Sequence, residues 1–135
     1  DYIVAARSKE KLLFIDRLKK MKNVNLHVAE IGKRGQDIEI LKKVVLKNKI
    51  DKIFTCSHEL VMKKVSDIAH ESKIFCQLSL ERYMKCGFGV CGQCTLDPLG
   101  ICVCKQGSVM NNALVRKLTE FGKYHRDSVG RKVNF

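Results

Sequence analysis

No stretch of this 135-residue chain holds the roughly 20 consecutive apolar residues that a bilayer-crossing helix needs. No G-x-G-x-x-G phosphate turn occurs anywhere, and no internal repeat or low-complexity tract is visible. The chain opens on Asp1 without an initiator Met or a leader, and enters an apolar strand pattern at once. A stretch cut from inside a longer natural chain is therefore the expectation. An apolar fraction of 45% with 30% charged residues excludes disorder and suits one domain, or one domain with a small appendage.

A concentrated basic arm is also missing, although the net charge is +12. Residues 1–80 hold 17 Lys and Arg against 10 Asp and Glu, and residues 81–135 hold 9 against 4. No aromatic platform interleaves the lysines as stacking on bases would require. The surplus reads as solvated helix faces with a general affinity for acidic surfaces.

Cysteine is abundant. There are seven, five of them between Cys86 and Cys104. An odd number cannot pair fully within one chain, and tight clustering beside an α/β pattern points to metal binding in a reducing compartment.

Residues 2–6 and 24–29 read as apolar strands, and so do 52–56 and 73–78. Ser8 is a candidate cap for a helix in which Leu12, Ile15 and Leu18, or Phe14, Leu18 and Met21, share a face. Gly32-Lys33-Arg34-Gly35 reads as a loop, followed by a helix capped by Asp37 with Ile38, Leu41 and Val45 inward. A third helix is expected from Glu59 to Glu71 with Val61, Val65 and Ile68 inward. Strand–helix alternation with short loops predicts an α/β fold with a parallel sheet flanked by helices. That lobe ends near Leu80. Gly, Cys and turn residues then dominate to about Met110, ahead of a basic tail expected to be a helix turning into coil at Gly122.

The cysteine run is Cys86-Gly87-Phe88-Gly89-Val90-Cys91-Gly92-Gln93-Cys94, followed by Cys102-Val103-Cys104. A C-x₄-C-x₂-C spacing with a later fourth cysteine is the pattern of plant-type [2Fe–2S] clusters. Iron with bridging sulfide takes soft thiolate ligands, and backbone N–H groups stabilise the negative charge of the assembly. Gly87, Gly89 and Gly92 allow the loop to wrap closely. Structural zinc is the competing chemistry, but it usually needs two separated C-x₂₋₄-C knuckles, and Cys91/Cys94 is the only C-x₂-C here. Spacing leaves the fourth ligand open. Cys102 and Cys104 fall on one face if Ile101–Cys104 is extended.

Residues 79–94, SLERYMKCGFGVCGQC, closely resemble the cluster-binding region of dihydroorotate dehydrogenase electron-transfer subunits. Residues 103–110 are similar to that family's V-C-x-x-G-P-V-F, and residues 121–127 look like archaeal members. Hydrogenase and sulfide dehydrogenase subunits share the architecture. The resemblance implies Cys104 as fourth ligand beside Cys86, Cys91 and Cys94, with Cys102 a bystander. It implies a partial ferredoxin reductase-like (Rossmann-like) NAD(P)-binding α/β lobe over residues 1–80, a [2Fe–2S] domain over 81–112 and a basic tail over 113–135. Thr55-Cys56-Ser57-His58-Glu59-Leu60-Val61-Met62 is similar to the family's C-G-P-x-x-x-M, with Ser57-His58 in place of Gly-Pro. Cys56, Ser57 and Met62, with Arg7 and Ser8 after the first strand, are the nucleotide-contact candidates it implies. Without resemblance, Cys56 and Met62 read as core, Arg7 as a solvated loop residue and Cys76 as a packed core thiol. His27, His70 and His125 read as surface residues.

The implied function is electron transfer between NAD(P)H, FAD and a partner flavoprotein of the dihydroorotate dehydrogenase kind, in pyrimidine biosynthesis, in a cytoplasmic hetero-oligomer. FAD and NAD(P) are expected in a full-length protein, since the flavin barrel and phosphate turn are missing here, and this stretch alone is not expected to be catalytically complete. The corresponding hydrogenase or ferredoxin–NADP reductase subunit is the redox alternative. A zinc-stabilised basic nucleic-acid module is the alternative of another class.

Overall fold

The computed structural model describes residues 1–29 and 35–135, so most of the expected loop Gly32–Gly35 lies outside the described residues. The chain divides into two compact units, Asp1–Lys49 and Ile50–Phe135. The change of texture at Glu81 falls inside the second.

In the first unit, β1 (Tyr2–Val4) pairs in parallel with β2 (Leu26–Val28), Ile3 opposite His27. Between them the expected long helix is broken. A 3-10 turn covers Lys9–Lys11, and α1 is only Ile15–Lys19. Ser8 makes no capping hydrogen bond, and Phe14 sits in the left-handed region at φ 61°. A bulky residue there stops helix propagation, and it leaves Leu13, Phe14 and Met21 exposed. The next helix, α2 (Gln36–Lys47), does form, with Gly35 and not Asp37 at its N-cap. Its buried row is Ile38, Leu41 and Val44, one residue off the expected Val45.

In the second unit, β3 (Lys52–Thr55) lies parallel to β4 (Phe75–Ser79), Ile53 opposite Cys76. The connecting helix α3 (Glu59–Glu71) has the expected span. Val65 is buried as expected, but Met62, Ser66 and Ala69 complete the inner row while Val61 and Ile68 are half-buried. The helix ends in a Schellman arrangement. Lys73 is left-handed at φ 56°, the Ile74 N–H donates to Ala69 O at 2.8 Å, and the Lys73 N–H donates to His70 O at 3.1 Å.

The Cys-rich region folds onto this sheet. A short hairpin of β5 (Thr95–Leu96) and β6 (Ile101–Cys102) leads into α4 (Val103–Gln106). Then β7 (Val109–Asn111) pairs antiparallel with β4, Met110 opposite Leu78. The strands therefore form a two-stranded parallel ladder and a three-stranded mixed sheet, not one parallel sheet of four. Within the second unit, β7 pairs antiparallel on the second edge of β4, so that sheet is mixed and not all parallel. The class is mixed α/β with small sheets.

After α5 (Asn112–Val115), the tail departs from the expected helix and coil. Tyr124–Arg126 (β8) and Lys132–Asn134 (β9) close an antiparallel hairpin. Gly122 makes the entry possible. It has φ 72°, and a Cβ there would come within 2.9 Å of the Lys63 side chain. Its N–H donates to Glu59 Oε1 at 2.9 Å.

Cys76, Leu78, Leu80, Leu96, Val103 and Val115 form the fully buried heart of this unit. Beside them lies an ionic group that hydrophobic patterning cannot reveal. Arg82, Glu59 and Glu120 are all buried. The Arg82 guanidinium donates to both carboxylates, its Nε reaching Glu120 Oε1 at 2.8 Å. Burial opposes the guanidinium charge, but the bonds to Glu59 and Glu120 outweigh that and keep Arg82 protonated. Glu120 Oε2 also accepts the Asp97 N–H at 2.8 Å. Glu120→Ala should lower the unfolding free energy by about 3–5 kcal/mol, because it strands a buried cation and a backbone donor. Urea denaturation of the two proteins checks this, and a loss below about 1 kcal/mol would contradict it.

Candidate metal centre

The cysteine loop hangs between two framed ends. On one side, the Leu80 N–H donates to Ser108 O at 2.8 Å, and Arg82 is clamped as described. On the other, the Val103 N–H donates to Cys94 O at 3.1 Å. Between these ends Gly87, Gly89 and Gly92 all take positive φ, as their place in the motif suggests. Gly89 has a second constraint, since a Cβ there would press to 2.9 Å on the Lys105 side chain.

Cys104 comes up to Cys94, its N–H donating to Cys94 Sγ at 3.4 Å, while Cys86 and Cys91 flank the glycine-rich turn between them. The Cys91 and Phe88 N–H groups, with the Cys91 thiol and the Val90 N–H, hold the Cys86 thiol down at about 6 against a small desolvation penalty. The Cys94 hydrogen bond and desolvation push the Cys104 thiol up to about 11, and the negative charges of Cys94 and Cys86 add to the rise. The Gly89 N–H acts the other way on Cys104. Cys94 is buried, Cys86 and Cys104 are half-buried, and Cys91 is exposed.

Cys102 goes elsewhere. The extended segment ends at Cys102 and Cys104 lies in α4, so the two do not share a strand face. Cys102 Sγ meets Thr95 Oγ1 at 3.5 Å, and its N–H donates to Gln106 Oε1 at 2.7 Å. Among the described residues, no three His, Cys, Asp or Glu side chains converge on a single-ion position. A closely wrapped loop with three left-handed glycines and several thiols of differing exposure suit a thiolate-bound iron–sulfur group, which Cys86, Cys91, Cys94 and Cys104 would hold.

The nucleotide candidates fall into both units. Arg7 is exposed and Ser8 half-buried in the first. In the second, Cys56 is exposed beyond β3, not a buried strand residue, while Ser57 and the buried Met62 line a cleft of about 560 Å³. Its other walls are His58 and Glu59 from the start of α3, Glu81–Tyr83 upstream of the cysteines, and residues 125–128 with Phe135 from the terminal hairpin. Sequence reasoning placed His125 on the surface. Its ring instead lies 4.9 Å from that of Phe135, and its Nδ1 is buried without a hydrogen-bond partner among the described residues. No sequence signal singles out His125 or Phe135, because the hairpin that brings them to the cleft was not foreseen. His70 is exposed and His27 half-buried against Asp1, while Cys76 is a core thiol pushed up to about 11 by burial.

Residues 81–116 match the family described as iron–sulfur cluster binding domain of dihydroorotate dehydrogenase B. The resemblance runs on through the rest of the chain. A probable dihydroorotate dehydrogenase B (NAD(+)) electron transfer subunit of Methanocaldococcus jannaschii is 45% identical over 98% of this chain and 52% of its own length. Proteins of the same description from Methanothermobacter thermautotrophicus and Methanocella arvoryzae are 41% and 38% identical, over 98% and 93% of this chain and 50% of each relative. The chain spans about half the length of the curated relatives it matches. Among the described residues no helix is long and apolar enough to cross a membrane.

Proposed function

We propose that the chain is the cluster-bearing portion of an electron-transfer subunit of the dihydroorotate dehydrogenase B type. Cys86, Cys91, Cys94 and Cys104 would hold a [2Fe–2S] cluster as its four thiolate ligands. The observation that carries this reading is the approach of Cys104 to Cys94, its N–H donating to Cys94 Sγ at 3.4 Å, at the end of a loop with three left-handed glycines, while Cys102 turns to Thr95. Bound there, a [2Fe–2S] cluster supplies a one-electron station, which two-electron flavin chemistry needs when a second centre takes the electrons onward.

The protein's own residues hold that station near its surface. Phe88 and Val90 project from the loop, 68% and 76% exposed, and form an apolar contact for a redox partner. The partner is a catalytic flavoprotein subunit in a cytoplasmic hetero-oligomer serving pyrimidine biosynthesis. Residues 1–80 act as a partial Rossmann-like nucleotide lobe, 81–112 as the cluster domain and 113–135 as the basic tail. Arg7, Ser8, Cys56, Ser57 and Met62 are the proposed NAD(P) contacts. FAD belongs to a chain of the relatives' full length.

Anaerobic reconstitution tests the centre. The chain should take up about two irons and two acid-labile sulfides and give a paramagnetic signal on reduction. One zinc per chain, with no such signal, would end the redox reading. The ligand set is tested by two serine variants. Cys104→Ser should lose the cluster and Cys102→Ser should keep it, as read by iron and sulfide content, and the reverse outcome would overturn the assignment of Cys104.

A further inference from the structure

The cluster loop carries a second tether that the cysteine motif does not explain. Gln93 lies between Cys91 and Cys94, and its Nε2 donates to the main-chain oxygen of Asp127 at 2.7 Å. Asp127 is itself fixed. Its carboxylate accepts the Val129 and Arg131 N–H groups, each at 2.9 Å, and its oxygen also accepts the Gly130 N–H at 3.1 Å. The strand leading to it is pinned by Arg126 to Asp97 at 2.7 Å and by Tyr124 to the same carboxylate at 3.1 Å. Arg82, four positions before Cys86, is held by Glu120 just upstream of that strand. One C-terminal segment, 120–127, therefore holds the cysteine loop from both sides.

We propose that Gln93 is a positioning residue for the cluster loop, acting through its bond to Asp127, so that the terminal hairpin sets the geometry in which Cys91 and Cys94 meet iron. This rests on the loop being the cluster centre. Gln93 touches no reacting atom. It restrains the peptide units on either side of it, whose N–H groups and φ values decide how the flanking thiolates are presented.

Gln93→Met keeps the length of the side chain and removes the donor without adding charge. In the reconstituted chain the variant should load the cluster, then lose it to a chelator about ten-fold faster than wild type, the low end of the usual cost of a supporting hydrogen bond at a metal site. The paramagnetic signal of the reduced variant should broaden. In the cluster-free protein, amide exchange at residues 87–93 should rise while that of β3 and β4 stays unchanged. Asp127→Ala, which frees the hairpin turn, should speed cluster loss as well, and the double variant should be no faster than the faster single one, because both cut the same tether. Should Asp127→Ala fail to fold, the exchange and chelation results for Gln93→Met decide alone. A Gln93→Met protein that matches wild type in chelation, signal width and exchange overturns the proposal, and so do fully multiplicative effects in the double variant. A wild-type chain that takes up no iron sinks the cluster reading itself, which is a different outcome.

Discussion

A buried guanidinium between two buried carboxylates holds the second unit in its arrangement. Glu59 begins α3, Arg82 follows β4, and Glu120 precedes the terminal hairpin, so three segments far apart in sequence meet at one point. Two carboxylates against one cation leave a negative surplus. The Gly122 and Asp97 N–H groups and the N-terminal end of the 13-residue α3 supply the balancing positive ends of dipoles. Such a group contributes little net stability compared with apolar packing of the same volume, but removing one member is severe. Its effect is to allow one relative placement of strand end, cysteine loop and hairpin.

That placement explains why the cysteine loop can be so rich in glycine and still be ordered. Left-handed backbone at several positions costs conformational entropy, and few apolar side chains are present to offset it. The restraint comes from outside, through Arg82 before the first cysteine, Gln93 within the run, and the pairing of Cys94 with the segment at Val103. The aromatic and aliphatic residues of the loop are then free to face solvent, which suits a surface that meets another protein.

Much of the site was legible in the sequence because its chemistry is local. Three closely spaced cysteines and the glycines between them are written in nine consecutive residues, and the glycines take the left-handed backbone that the motif calls for. The span of α3 was legible for a similar reason, since its apolar period is unbroken by Gly or Pro. What failed was long-range. The partner of β4 is β7, about 30 residues downstream, and pairing across such a separation leaves no periodic mark. The helix after Ser8 failed on a single backbone torsion at Phe14. Spacing alone left Cys102 and Cys104 equivalent; the family resemblance favoured Cys104, and in the structure the chain turns from strand into α4 between them. The ionic triad was invisible because buried charges read in sequence as ordinary surface residues.

The reading of the loop turns on whether Cys86, Cys91, Cys94 and Cys104 together take up two irons. Mössbauer spectroscopy of the chain reconstituted with iron-57 tests it most directly, since it counts iron sites and their valence without a partner protein. After one-electron reduction two components of equal area are expected, one ferric and one ferrous, both in tetrahedral sulfur surroundings. A single component, as one isolated iron on four thiolates would give, contradicts that reading.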